Sequence, residues 1–300
     1  MSDVKLYLVF LGIAILMCGC EENGFKEAAW SLTYPNGPES LVMGTNCHIL
    51  WHGPSSNSVR IELYRNSEYF ATIADETFKG GSYEWSIPIN LPAGQGYSIM
   101  ISDTGSSKQQ ISGKNSFRLL SPGIISTFTD SRDGQEYLTV KLGEQVWMAE
   151  NFNYRPEDGW YCYEEDPAYC ETLGKLYTQE AAISNQPEGW HLPSDKEWKI
   201  LEAYLGMASE EIELFDQRGH SVAFILRPEG GSGFNAIFGG YYNGCVDGYG
   251  HHSYESHYWS SSQTEEVKPI LRVIGRGGTI SRLASTCHMG SSVRYIKDSP

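Results

Sequence analysis

Gly189-Trp190-His191-Leu192-Pro193-Ser194-Asp195-Lys196-Glu197-Trp198 joins a tight aromatic loop to the start of a helix. Ser194 followed three residues later by Glu197 is a capping box: the hydroxyl accepts from an orphan helix amide and the carboxylate returns to the N–H of the cap. Trp198, Leu201 and Leu205 then recur at helical spacing with charge between them, and Gly206 stands where a helix C-terminus favours positive φ. The expected element is a core-facing helix of about three turns. His191, just ahead of the cap, reads as a hydrogen-bonded structural histidine rather than a catalytic base.

Upstream of this helix, Asp133-Gly134 marks a hairpin turn, with strands expected over 138–142 and 145–154. Earlier still the chain breaks into short alternating runs at 45–52, 59–64, 69–73, 83–87 and 97–102, separated by turn signals such as Pro35-Asn36-Gly37, Gly80-Gly81 and Pro92-Ala93-Gly94. Several short strands at regular spacing predict an all-β immunoglobulin-like sandwich over 28–120, with Cys47, Ile49, Trp51, Ile61, Leu63, Trp85 and Ile99 in its core. Ser121-Pro122-Gly123 is the expected linker, because proline and glycine stop the last strand. A second domain is expected over 124–300.

The first residues carry Lys5, an apolar run over 6–17 and then Cys18-Gly19-Cys20. That run is shorter than the ~20 residues a spanning helix needs. Residues 1–20 therefore read as a signal peptide ending in a lipobox, with Cys20 diacylated as a membrane anchor, and 21–27 as a tether. Glu21 and Glu22 resemble the acidic export tag of surface lipoproteins, so the expected location is the outer membrane with the protein facing the cell exterior. The net charge of −15 repels nucleic-acid phosphate, and nucleic acid is excluded as a partner.

Of seven cysteines, five lie beyond Cys20. Export permits disulfides. Cys162 and Cys170 enclose a short polar loop, and bridging them removes about 2.5 kcal/mol of unfolded-chain entropy. Cys245 and Cys287 are the second expected pair. Cys47 is left over, and its alternation with Ile49 and Trp51 reads as a buried strand thiol.

Two resemblances follow from these runs. Residues 34–99, through Ile49-Leu50-Trp51, Gly81-Ser82-Tyr83-Glu84-Trp85 and Tyr97-Ser98-Ile99, resemble the immunoglobulin-like domain of the Ser-Thr-rich GPI-anchored membrane family, which implies a spacer or adhesion module. Gln145-Val146-Trp147-Met148-Ala149-Glu150-Asn151-Phe152, Gly174-Lys175-Leu176-Tyr177, Gly189-Trp190-His191-Leu192-Pro193-Ser194, Tyr258-Trp259-Ser260-Ser261-Ser262 and Ser291-Ser292-Val293-Arg294-Tyr295-Ile296-Lys297-Asp298 resemble the Fibrobacter succinogenes major paralogous domain. That resemblance implies a C-type-lectin-like α+β fold shared with formylglycine-generating enzymes, on exported proteins without an established activity. Relatives often carry Cys-Pro before Gly-Trp-His-Leu-Pro and a cysteine in the last strand, where this chain has Gln186 and Tyr295. The paired cysteines of the oxidase relatives are also missing, so oxidase chemistry does not carry over.

No nucleotide-binding loop and no nucleophile elbow is found, and the chain reads as a non-enzyme without a cofactor. His251, His252 and His257 with Asp247 and Glu255 form a zinc-capable composition. Their spacing in a Gly/Tyr-rich loop favours a solvated surface. Glu164, Glu165 and Asp166 between the first cysteine pair are candidate calcium ligands, set against an ordinary acidic surface. Tyr249 and Tyr254, with His251 and His252, are the candidate ligand-binding residues, since rings exposed among glycines stack on sugar faces. Tyr249 and Tyr254 are the ones expected to face solvent. The expected function is a surface lipoprotein displaying a lectin-like domain that binds a polysaccharide or a surface protein. The alternatives are an extracellular enzyme acting on glycan or protein and a passive envelope component.

Overall fold

The computed structural model describes residues 30–53, 58–77, 80–105, 110–285 and 289–299. Cys20, the tether 21–27 and Cys287 lie outside the described residues. Among the described residues, no helix is long and apolar enough to cross a membrane.

The N-terminal unit is a sandwich of two sheets. One holds Ser31–Tyr34, Asn46–His52 and Ser82–Ser86. The other is built on Ser40–Val42, Phe117–Leu120, Gly94–Asp103, Val59–Arg65 and Glu68–Thr77. Strict alternation of buried and exposed residues along Asn46–His52 aims Cys47, Ile49 and Trp51 at the opposing sheet, where they join Ile61, Leu63, Trp85 and Ile99 in one core. Burial pushes the Cys47 thiol up to about 12, so it is an inert core thiol rather than a nucleophile.

The C-terminal unit consists of small sheets with few helices. Its largest sheet orders Ile124–Thr129, Glu136–Leu142, Gln145–Met148, Ile296–Lys297 and Trp190–His191. The quoted Trp190-His191 dipeptide thus closes an edge, pairing with Ile296–Lys297. A second sheet runs Asp216–Arg218, Ile280–Ala284, Pro269–Gly275, Glu255–Gln263. Between them, the rings of Trp147 and Trp198 meet at 4.8 Å and share a core with Phe234 and Tyr258.

Helix Asp195–Tyr204 starts at the Ser194 cap, and both halves of the capping box form. Its N-terminal loop is held by His191, whose ring nitrogens reach Asp298 at 2.6 Å and Glu197 at 2.8 Å. Charges then fix the helix on the second sheet. Arg272 and Arg282 face each other across adjacent strands, an arrangement of like charges that destabilises a sheet unless an anion lies between them. Asp195 is that anion, at 2.8 Å from Arg272 and 2.7 Å from Arg282. Seven residues along the same helix, Glu202 pairs with Arg272 at 2.7 Å and with Arg218 at 3.1 Å.

The two units pack on each other. Val42 and Leu120 of the sandwich belong to the same buried cluster as Trp198 and Leu226. Arg118 donates to the Tyr204 carbonyl at 3.2 Å, and the Gly123 amide donates to Ser232 at 3.1 Å. The stretch 121–123 is therefore a fastened joint.

Burial pushes the Asp195 carboxyl up, but Arg282, Arg272 and Lys199 outweigh it and hold the group at about 2, below its ordinary 3.8. A depressed carboxyl stabilises the fold above its unfolded value and loses that contribution as pH falls through the folded one. The difference is worth about 2 kcal/mol, present above pH 3.8 and lost towards pH 2. Asp195→Asn, which leaves buried guanidiniums facing each other, is expected to lower stability in urea unfolding by about 3–5 kcal/mol at neutral pH, with a smaller deficit near the acid end.

Candidate functional site

The site is built where a disulfide-closed segment meets a glycine-rich hairpin. Cys162 and Cys170 are bridged, with their Cα atoms 5.1 Å apart. Cys245 is disulfide-bonded as well. Instead of a plain loop, the enclosed segment folds into a 3-10 turn, Tyr163–Glu165, and the start of helix Pro167–Leu173. Glu164, Glu165 and Asp166, the expected calcium ligands, lie in this segment. The Asp166 carboxylate is engaged as the cap of that helix, accepting from Ala168 N at 2.9 Å. Glu164 and Glu165 sit at φ of 53° and 58°, and the three carboxylates do not converge: among the described residues the one such group is His251, Glu255 and His257.

Tyrosines flank the bridge and meet the hairpin formed by Tyr241–Asn243 and Gly248–Gly250. Tyr161 stacks on Tyr242 at 4.0 Å between centroids. Tyr163 touches Tyr169, Tyr249 and His252 at 5.4, 5.3 and 5.0 Å. Tyr242 and Tyr249 are directly opposite across the hairpin and lie 5.3 Å apart. Two glycines permit this crowding. A Cβ on Gly240, at φ 66°, would lie 2.8 Å from the Tyr163 ring, and one on Gly290 would lie 2.8 Å from Tyr161.

Of the expected ligand-binding residues, Tyr249 and His252 come together here around Tyr163, while His251 lies against Tyr241 and His257. Tyr254 stands off the hairpin with 64% of its surface exposed. Tyr249, expected to face solvent, is half-buried, because its ring fills the gap between Tyr163 and Tyr242. Tyr161, Tyr163 and Tyr169 were not among the sequence candidates. Their signal was present in the placement of aromatic residues beside both bridged cysteines.

On the other side of the hairpin lies a histidine–carboxylate cluster. Tyr254 and Glu255 both donate their backbone N–H to the His251 carbonyl at 3.0 Å, and His251 and Ser253 adopt φ of 59° and 67°. This tight turn folds His251 back over Glu255, leaving its Nδ1 2.5 Å from Glu255 Oε2. His257, two residues along the strand on the same face, brings Nε2 to 2.9 Å from that same oxygen. Tyr241 stacks on His257 at 4.4 Å and meets His251 edge-on at 5.4 Å. Burial lowers the His257 pKa against the pull of Glu255, so the ring is neutral and its Nε2–H donates to the carboxylate. Glu255 is held down to about 2 by its hydrogen bonds to His257 and His251, against burial. The spacing of Glu255 and His257 on one face of a strand was readable, whereas the fold-back of His251 was not.

This is a multidomain, largely β protein with an N-terminal immunoglobulin-like domain. It belongs to the Fibrobacter succinogenes major domain family, whose model matches residues 140–297. The Kre9/KNH-like N-terminal Ig-like domain model matches residues 34–118, so the immunoglobulin-like character holds under a family description different from the one expected. No curated protein matches the chain. A solved structure of Clostridium thermocellum CbhA fibronectin(III)-like modules is similar at 12% identity, over 31% of this chain and 98% of that one, with a TM-score of 0.22. So low a score bears no weight.

His191 and His257 are displaced in opposite directions from the ordinary histidine value of 6.5. Burial disfavours charge at His191, yet its hydrogen bonds to Asp298 and Glu197 outweigh it and raise the pKa. Its stabilising contribution is complete below pH 6.5 and is lost as pH rises through the higher folded value. In long-range ¹H–¹⁵N spectra, His191 is expected to titrate above that pH while His257 keeps neutral-imidazole shifts through and below it.

Proposed function

We propose that this chain is an exported lipoprotein, acylated at Cys20 and displayed on the outer membrane, whose C-terminal domain has a C-type-lectin-like fold and binds glycan or another surface polymer. The tyrosine–histidine face carries this reading: Tyr161, Tyr242, Tyr249 and His252 form a crowded aromatic surface, with Tyr254 exposed nearby. Tyrosine suits such a task, since the ring offers an apolar face to sugar C–H groups and the phenol offers a polar rim. Tyr242 keeps that rim oriented by donating to Asp247 at 2.9 Å. Rigidity supports the reading as well, because a surface ordered by a disulfide and cross-strand stacking gives up less entropy when a ligand docks. The immunoglobulin-like domain serves as a spacer between anchor and binding domain.

The full chain is expected to be retained on at least one insoluble polysaccharide or glycan-array sugar. Tyr242→Ala combined with Tyr254→Ala should weaken that retention by roughly tenfold or more, in line with ~1 kcal/mol per lost ring contact, with the thermal unfolding transition preserved. A chain that binds no polymer, with calcium or with chelator, would remove glycan as the ligand. For the anchor, metabolic palmitate labelling is expected in the wild-type chain and absent in Cys20→Ser; persistent labelling would place the lipid elsewhere.

A further inference from the structure

His251, Glu255 and His257 each offer one ligand atom within 4.8 Å of the others, and His251 Nδ1 and His257 Nε2 both approach Glu255 Oε2. Two imidazoles and a carboxylate on neighbouring positions of a turn and a strand form a donor set that a transition metal recognises. We propose that these three residues bind a single first-row divalent metal ion, and that zinc is the ion they suit best. This inference stands apart from the glycan reading and needs none of it.

Four observations support it. First, the donor separations fit. Ligands about 2.0–2.2 Å from a tetrahedral zinc lie roughly 3.4 Å from each other, and the present separations, from 2.5 and 2.9 Å up to a limit of 4.8 Å, bracket that figure. Second, both rings address the same carboxylate oxygen, Glu255 Oε2, which gathers one nitrogen from each histidine. Third, His257 is only 5% exposed, and it turns Nε2 towards the cluster, 2.9 Å from Glu255 Oε2. Fourth, the rings are already oriented. Tyr241 packs on both, and the turn placing His251 uses left-handed backbone at two residues that are not glycine, a local cost that tends to accompany functional sites.

The chemistry of the donors selects among ions. Calcium asks for six to eight oxygens and magnesium for an octahedron of oxygens, whereas two nitrogens and one carboxylate suit zinc, or copper where it is available. With three protein ligands, a tetrahedral ion keeps a fourth position for water or for a ligand group. That position opens outward, because the His251 side chain is 55% exposed while His257 closes the inner side.

The test uses the full chain stripped of metal by chelator and dialysed. Calorimetric titration with Zn²⁺ is expected to show one ion bound per chain. Substitution with Co²⁺ is expected to give the visible absorption bands of a four-coordinate site with nitrogen ligands. Glu255→Gln and His251→Ala, both at positions that reach solvent, are each expected to weaken binding at least about tenfold, and the double variant to abolish it. His257 is left in place so that the core beneath it is undisturbed. Zn²⁺ should raise the thermal midpoint of the wild-type chain and not that of the double variant. Absence of saturable one-to-one uptake, or uptake and thermal protection that survive in the double variant, would overturn the proposal.

Discussion

Everything in the C-terminal unit depends on the ion network beneath helix Asp195–Tyr204. Three guanidiniums, those of Arg218, Arg272 and Arg282, meet two carboxylates, those of Asp195 and Glu202. Lys199, which also reaches Asp195, is offset by Glu213 at the surface, and main-chain carbonyls of Glu213 and Leu214 accept from Arg282 and Arg218. Such a network adds little net stability over a well-packed apolar core. It instead excludes alternatives: a helix rotated or slid by one residue would leave buried charge unpaired. The register of two adjacent strands, with Arg272 opposite Arg282, makes sense only with Asp195 above them.

This explains what the quoted stretch does. Ser194 caps the helix, Glu197 completes the box and also holds His191, His191 reaches Asp298 beside the last strand, and Asp195 supplies the anion between two arginines. Arg294, two residues before the final strand, acts in the same way, buried and donating to Asn151 and to the carbonyls of Met148, Phe234 and Asn235. The polar groups of His191, Ser194, Asp195, Glu197 and Arg294 are therefore already engaged in fixing the fold.

Legibility in the sequence follows contact range. The capping box, the sandwich strands and the Cys162–Cys170 bridge involve residues a few positions apart, and local periodicity or spacing makes them readable. The helix could be placed from its cap, yet nothing local showed what Asp195 pairs with, since Arg272 lies 77 residues further on. The tyrosine face fails to appear for the same reason: Tyr161 acquires meaning only when Tyr242 stacks on it. The misjudged exposure of Tyr249 is instructive. Glycine-rich surroundings imply an open loop, but here the glycines exist to let rings approach, and Gly240 and Gly290 make room for tyrosines rather than for solvent.

The histidine–carboxylate cluster combines both kinds of support. Glu255 and His257 belong to strand Glu255–Gln263, whose next residues, Tyr258 and Trp259, are core. The strand is further tied by the Ser292 amide donating to the His257 carbonyl at 2.9 Å and the Gly240 amide donating to Glu255 at 3.0 Å. A donor set held on such a strand keeps its geometry without the entropy loss of ordering a free loop. Only His251 rides on a turn, and that turn is closed by two amides on its own carbonyl. Two donors are thus fixed by the scaffold and the third by local backbone geometry. The same hairpin presents Tyr242 to the aromatic face and Tyr241 to the histidines, so the two faces share one strand, Tyr241–Asn243.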